Sequence, residues 1–344
     1  MTGSPFTVYT TCPASTVDSP KQYLTRLRDV SRWTEAAGCR GFLVYADNSL
    51  TDVWLTAQTV IERTDTLVPM VAVQPVYTHP YAVAKAVASL AWLHERQVDL
   101  NLITGGFAKH LAELGDPLRE DHDGRYRRLR EFALIIRDLL STQSPTIFHG
   151  DHYRVDKATF HPPLPPALAP RLFVSGNSPA SREVTDSLDA TRLTYPAHPD
   201  DVGNAWRESA HAVGIRIGII ARETSAEAWK TAVSRFPADP AGRRMHRLAQ
   251  RLSDSKWHAA LSDDARSTEP SADTYWLHPF RTYKTFCPYL VGSYAEVTRL
   301  VAAYRDMGAE TIILDVPDTE DDLHHAMTVL RGVGAAHSDA SSAR

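Results

Sequence analysis

The sequence predicts a single α/β domain folded as a (β/α)8 (TIM) barrel, on three observations. Short runs rich in β-branched and aromatic residues alternate with longer segments whose apolar residues recur at threes and fours. Eight such runs follow one another with no break in composition to mark a domain boundary, in a chain whose 344 residues suit one barrel. The phosphate fingerprints of open doubly wound sheets are missing, with no GxGxxG after the first strand and no GxxxxGK(S/T) anywhere.

In order, strands are expected at residues 6–11, 41–46, 67–75, 98–104, 171–176, 191–195, 216–221 and 311–316, each bounded by turn formers. Helices are expected at about 20–37, 51–62 and 80–95; in the first of them Tyr23, Leu27, Val30 and Trp33 share a face. Two segments break the alternation. Thr146-Ile-Phe-His-Gly-Asp-His-Tyr-Arg-Val155 followed by Pro162-Pro-Leu-Pro-Pro166 predicts an exposed hairpin and a rigid extended connector before the fifth strand. Residues 237–285 form a long insertion after the seventh strand, opening with basic helical spacing at Arg243, Arg244, Arg247 and Arg251. Such barrels build their sites at the C-terminal ends of the strands, so this insertion is either a lid or a solvated helical excursion. The barrel is expected over residues 1–334, leaving a flexible Ala/Ser-rich tail from Ala335 to Arg344.

Composition narrows the function. The net charge of −4, with both signs interleaved, offers no basic face for a nucleic-acid backbone. Cys12, Cys39 and Cys287 are odd in number and widely spaced, which predicts reduced thiols and no metal site. The N-terminus lacks a basic region followed by an apolar run, and no stretch has the length of a membrane span, so a cytoplasmic protein is expected.

The ends of the strands carry the chemistry. The fourth runs into Thr104, Gly105 and Gly106, where bare backbone amides suit a flat or anionic ligand. Glycine needed for turn geometry alone is the competing explanation. Ser175, Gly176, Asn177 and Ser178 follow the fifth strand just before a helix opening near Pro179, which makes either a phosphate site or a plain N-cap. Tyr45 and Ala46 end the second strand, and Gln74 and Pro75 the third.

Asp52-Val-Trp-Leu55, Asn101-Leu-Ile-Thr-Gly-Gly106, Asp121-His-Asp-Gly-Arg-Tyr126, Leu172-Phe-Val-Ser-Gly-Asn-Ser178, Arg222-Glu-Thr-Ser-Ala-Glu-Ala-Trp229 and Leu290-Val-Gly292, in that order, resemble the bacterial-luciferase-like flavin monooxygenases. Within them the chain most resembles the alkanesulfonate monooxygenase branch. The resemblance implies a barrel that borrows reduced FMN from a separate NAD(P)H-dependent flavin reductase and reacts it with O2, giving a flavin (hydro)peroxide that oxygenates a small organic substrate. It also implies a homodimer or homotetramer. By position, it sets Thr104 and Gly105 beside the flavin ring, with Gln74 near its edge. Tyr126 and Ser175 to Ser178 would hold the ribityl chain and phosphate, and Tyr45 is a further candidate contact.

The departures concern the substrate. Where the alkanesulfonate enzymes carry a cysteine before helix two, this chain has Leu50. Their seventh-strand arginine is kept as Arg216, but the histidine after it is Gly218. Leu314-Asp-Val-Pro317 replaces their last-strand tyrosine, and Thr11 and Cys12 stand near their first-strand histidine. A substrate other than a simple alkanesulfonate is therefore expected. Arg216 is the candidate to balance a developing or substrate negative charge, against a bland role at the start of a strand. Cys12 is either a flavin-facing thiol or a small buried one. His278, with His198 and Tyr283, is a candidate acid or base. Asp315 either enters the site or caps the following helix. Two alternatives stand beside the oxygenase: a barrel oxidoreductase using the deazaflavin F420, and a non-catalytic flavin-binding relative.

Overall fold

The structure is a computed structural model that describes residues 4–16, 19–141, 144–202, 206, 211–252, 256–264 and 269–342, with 249–252, 256–258, 260 and 335–342 as backbone alone. The first half runs β1 (Thr7–Thr11), α1 (Pro20–Ala36), β2 (Gly41–Val44), α2 (Val53–Ile61), β3 (Val68–Val73), α3 (Pro80–His94), β4 (Asp99–Leu102), α4 (Ala108–Glu113) and α5 (His122–Ser141). A hairpin follows, β5 (Thr146–His149) and β6 (Arg154–Ala158), then β7 (Leu172–Ser175), α6 (Pro179–Leu188), β8 (Thr191–Thr194), α7 (Pro199–Val202), β9 (Val213–Arg222) and α8 (Ser225–Arg235). The rest is α9 (Pro240–Leu252), α10 (Lys256–Asp263), β10 (Tyr275–Trp276), α11 (His278–Arg281), β11 (Tyr289–Ser293), α12 (Tyr294–Asp306), β12 (Ala309–Leu314) and α13 (Glu320–Ser342).

Among the described residues, eight parallel strands close on themselves in the order β1, β2, β3, β4, β7, β8, β9, β12 and back to β1. This is the (β/α)8 barrel the alternation predicts. Its interior layer is Tyr9, Leu43, Met70, Phe173, Leu193 and Ile313, contributed by six different strands, with Tyr9 and Phe173 edge to face at 5.9 Å. Beneath that layer Asp99 is fully buried. Its carboxylate accepts from the Tyr9 hydroxyl at 2.7 Å and the Arg171 amide at 2.8 Å, and pairs with Arg40 at 3.2 Å, so no lone charge is stranded in the core.

The helices begin where local chemistry allows. Ser19 and Gln22 form a capping box at α1, Asp52 caps α2, and Thr224 with Glu227 forms a second box at α8. Residues 146–158 make the expected antiparallel hairpin. Two expectations need correction. The seventh barrel strand starts at Val213, not Arg216, so Arg216 lies inside β9, flanked by the buried Ile215 and Ile217. The run Leu290–Gly292, read only as a motif, lies in the strand β11: β9 is ten residues long and its upper half, Gly218 to Arg222, pairs with β11. The last helix carries helical backbone through Ser342, across the segment from Ala335 expected as a tail. No helix among the described residues is long and apolar enough to cross a membrane.

Candidate active site

A cavity of about 730 Å³ opens at the C-terminal ends of the barrel strands. Its floor is the top of the interior layer, Leu43, Leu193 and Ile313, and its walls are the strand-end segments that the sequence singles out. Tyr45, Gln74, Thr104, Gly105, Tyr126, Ser175, Gly176, Asn177, Ser178 and Arg216 all line it. These residues are far apart in the chain and meet because parallel strands deliver their ends to one side.

On one wall the construction is backbone and small side chains. Gly105 has φ +85°, a left-handed conformation costly for any side chain, and a Cβ there would stand 2.9 Å from the Gln74 Oε1. Gly176 has φ +148°, and a Cβ would reach 2.3 Å from the Tyr126 hydroxyl. That hydroxyl donates to the Ser175 carbonyl at 3.0 Å, while the Ser175 Oγ donates to Asn101 Oδ1 at 2.7 Å. Ser178 is the N-cap of α6, its Oγ accepting from the Ser181 amide at 3.2 Å. Capping and cavity lining are thus not alternatives here: the same residue ends the helix and brings its N-terminus to the cavity, where helix amides and dipole favour an anion. Gln74 Oε1 is buried and has no hydrogen-bond partner among the described residues. An unpaired buried acceptor at a cavity wall costs stability unless a ligand donor meets it.

The opposite wall is built from charge. Arg216 pairs through an NH2 group with Asp315 at 3.0 Å, and the second Asp315 oxygen accepts from the Tyr289 hydroxyl at 3.0 Å. The guanidinium carbon lies 5.8 Å from the centre of the Tyr45 ring and 6.0 Å from that of Tyr195. Burial opposes its charge, yet Tyr195, Asp315 and Cys287 around it outweigh that and raise its pKa, so Arg216 is a permanent cation. Its Nε is buried and has no hydrogen-bond partner among the described residues. A Cβ on Gly218 would meet the Tyr289 ring at 2.3 Å. The glycine found where the resemblance expects histidine is therefore what lets Tyr289 reach Asp315.

Four sequence candidates are not brought to the cavity. Cys12 is 3% exposed in the core beside Tyr23 and Val44, and burial pushes its thiol up to about 12. It is not among the residues that line the cavity. His278 lies within the insertion, its ring stacked on Trp276 at 5.1 Å with Nε2 3.3 Å from the Pro237 carbonyl; burial lowers its pKa. His198 packs edge-on against Tyr275. Asp315 neither faces the cavity nor caps α13; it holds Arg216.

The insertion borders the cavity. Met245 and Leu248 of α9, with Tyr283, form part of its outer wall, the placement a lid requires; the Arg251 side chain falls outside the described residues. Sequence reading missed Tyr195, Tyr289 and the outer Tyr77, whose hydroxyl donates to Asn48 at 2.5 Å. Tyr195 had a usable signal, since it ends the sixth strand as Tyr45 follows the second. Tyr289 had none, because its strand lies outside the eightfold alternation.

Comparison with known proteins agrees with this geometry. Residues 5–311 match the family of luciferase-like monooxygenases. The chain is 30% identical over 318 residues to the 4-(gamma-L-glutamylamino)butanoyl-(BtrI acyl-carrier protein) monooxygenase BtrO of Niallia circulans, covering 91% of this chain and 92% of that one. In fold it is similar to the EDTA monooxygenase EmoA of Chelativorans sp. BNC1, with a TM-score of 0.74, 16% identity, and coverage of 96% of this chain and 94% of that one. It is also similar to the oxygenating constituent of 3,6-diketocamphane monooxygenase from Pseudomonas putida in complex with FMN, with a TM-score of 0.67, 16% identity, and coverage of 94% and 96%.

Proposed function

The chain belongs to the luciferase-like monooxygenase family and is a flavin-dependent monooxygenase, and on that premise we propose its cofactor and substrate class. It works with reduced FMN brought by a separate NAD(P)H-dependent flavin reductase, takes O2 as co-substrate, and oxygenates an acyl chain presented as a carrier-protein thioester. The observation that supports the cofactor is the wall just described: a buried Gln74 Oε1 with no partner among the described residues, two glycines whose Cβ atoms would fill the cradle, and the N-terminus of α6. The thioester rests on the similarity to BtrO, whose substrate is carrier-bound. It replaces the alkanesulfonate branch as the guide to substrate.

Thr104 and Gly105 would lie against the flavin ring, Gln74 would accept from a ring N–H, and Tyr126 with Ser175 to Ser178 would hold the ribityl chain and phosphate. Reduced FMN, when bound, supplies the electrons that activate O2. The protein's own part is exclusion and charge. Met245, Leu248, Tyr283 and Phe286 give the cavity an apolar outer rim, and Arg216 holds a fixed positive charge beside it.

Flavin fluorescence titration and reoxidation of reduced FMN in aerated buffer test this. Saturable FMN binding, together with reoxidation at a rate set by the protein, is expected. Reoxidation identical to free FMN, or anaerobic turnover with deazaflavin F420 in its place, would sink the oxygenase reading.

A further inference from the structure

We propose that the exposed face of α9 is the docking surface for an acidic acyl carrier protein, which delivers its thioester into the cavity beside it; this rests on the carrier-bound substrate proposed above. Helix α9 reads Pro-Ala-Gly-Arg-Arg-Met-His-Arg-Leu-Ala-Gln-Arg-Leu and contains no acidic residue, in a chain whose net charge is −4. Its inner side is anchored: His246 is buried, with its ring 4.8 Å from that of Phe280 and its Nε2 3.0 Å from the Ser262 hydroxyl. The opposite side is open. Arg244 and Arg247 are exposed and pair with no acidic group among the described residues, whereas Lys284 nearby is already taken by Asp239 at 2.7 Å.

Helical spacing puts Leu248 directly beside Arg244 and Met245 next around the turn. Both are more than half exposed, at 54% and 56%, and both line the cavity. A solvated helix has no reason to expose two large apolar side chains at the rim of a cavity, next to two cations that meet no acidic group among the described residues. A docking face has one. The cations steer and orient an acidic helix, the apolar pair meets its contact patch, and the prosthetic arm enters where Met245 and Leu248 border the opening. A small substrate diffusing in would need neither.

The probe is a fluorescently labelled holo acyl carrier protein charged with a 4-(gamma-L-glutamylamino)butanoyl group. Its binding is measured by anisotropy at low salt and at about 0.3 M salt. The wild type is compared with Arg244→Glu/Arg247→Glu and Arg244→Gln/Arg247→Gln, with FMN quenching as the check that each variant is folded. Expected is a Kd raised roughly tenfold or more by charge reversal, less by neutralisation, with most of the salt dependence gone and FMN binding unchanged. The proposal is overturned if charge reversal leaves carrier affinity intact, or if the wild type binds FMN but no carrier. It is also overturned if the reversed variant loses a flavin reductase and keeps the carrier, which would give this face to the reductase. Wild-type protein that fails to bind FMN at all would overturn the proposed function instead.

Discussion

On the β4–β7 side of the cavity the wall is backbone, glycine and small hydroxyls, whereas on the β9–β12 side it is one guanidinium held by a carboxylate 99 positions away in the chain. The first wall rests on local conformation. Gly105 and Gly176 take positive φ and Ser178 caps its own helix, each a feature of its own neighbourhood, although the two glycines also make room for Gln74 and Tyr126 from elsewhere in the chain. The second depends on strands that meet only after the barrel closes, so Arg216, Asp315 and Tyr289 are coupled and should fail together. A cofactor common to many substrates suits the first construction, and a substrate-facing charge suits the second.

The largest effect should come from Asp315→Asn. It strands the Arg216 cation, whose side chain is only 12% exposed, and should cost about 3 kcal/mol, read as a lower urea midpoint. Oxygenated product should fall while FMN affinity holds. If FMN affinity fell equally, the two walls would not be separable.

Next is Asp322, which ties α13 to β9 and α8 by ion pairs with Arg222, at 2.6 Å, and Arg235. Burial pushes its pKa up, but the two arginines and Thr319 pull it further down, below the ordinary carboxylate value. The folded pKa being depressed, this stabilisation is present above the ordinary Asp value of about 4 and lost as pH falls through the depressed one. Asp322→Asn should therefore cost about 2 kcal/mol near neutral pH and flatten the acid limb of a stability-versus-pH curve. An unchanged acid limb would show that the carboxylate carries no such linkage.

Gly176→Ala sharpens the other side of the comparison. The added methyl must displace the Tyr126 hydroxyl and accept a backbone conformation strained for any side chain. A stability cost of about 1–2 kcal/mol is expected, with FMN affinity lowered roughly tenfold or more in a fluorescence titration. Normal FMN affinity in a folded variant would remove this loop from the cofactor wall. The smallest effect belongs to Cys12→Ala, a core truncation costing about 1 kcal/mol in denaturant unfolding, with FMN binding and product yield unchanged. A loss of product there would restore the thiol to the site.

The same contrast explains what could be read in advance. Strand and helix order followed from hydrophobic period, and the strand-end rule then placed Thr104, Gly105 and Ser175 to Ser178 at one end of the barrel. Cys12 and His278 do not line the cavity, for one reason: near a strand end or within an insertion, sequence does not say which way a side chain points. Cys12 turns into the core beside Tyr23, and His278 stacks on Trp276.

By itself the sequence determined the barrel and the glycine and hydroxyl strand ends that line its cavity, because periodicity, caps and turn chemistry are local properties of a few consecutive residues. Only the tertiary structure decided that β9 runs on to pair with β11, that Gly218 makes room for Tyr289, and that Asp315 holds Arg216 instead of capping a helix. Those are contacts between strands distant in the chain, fixed by register and packing, and no short-range signal encodes them.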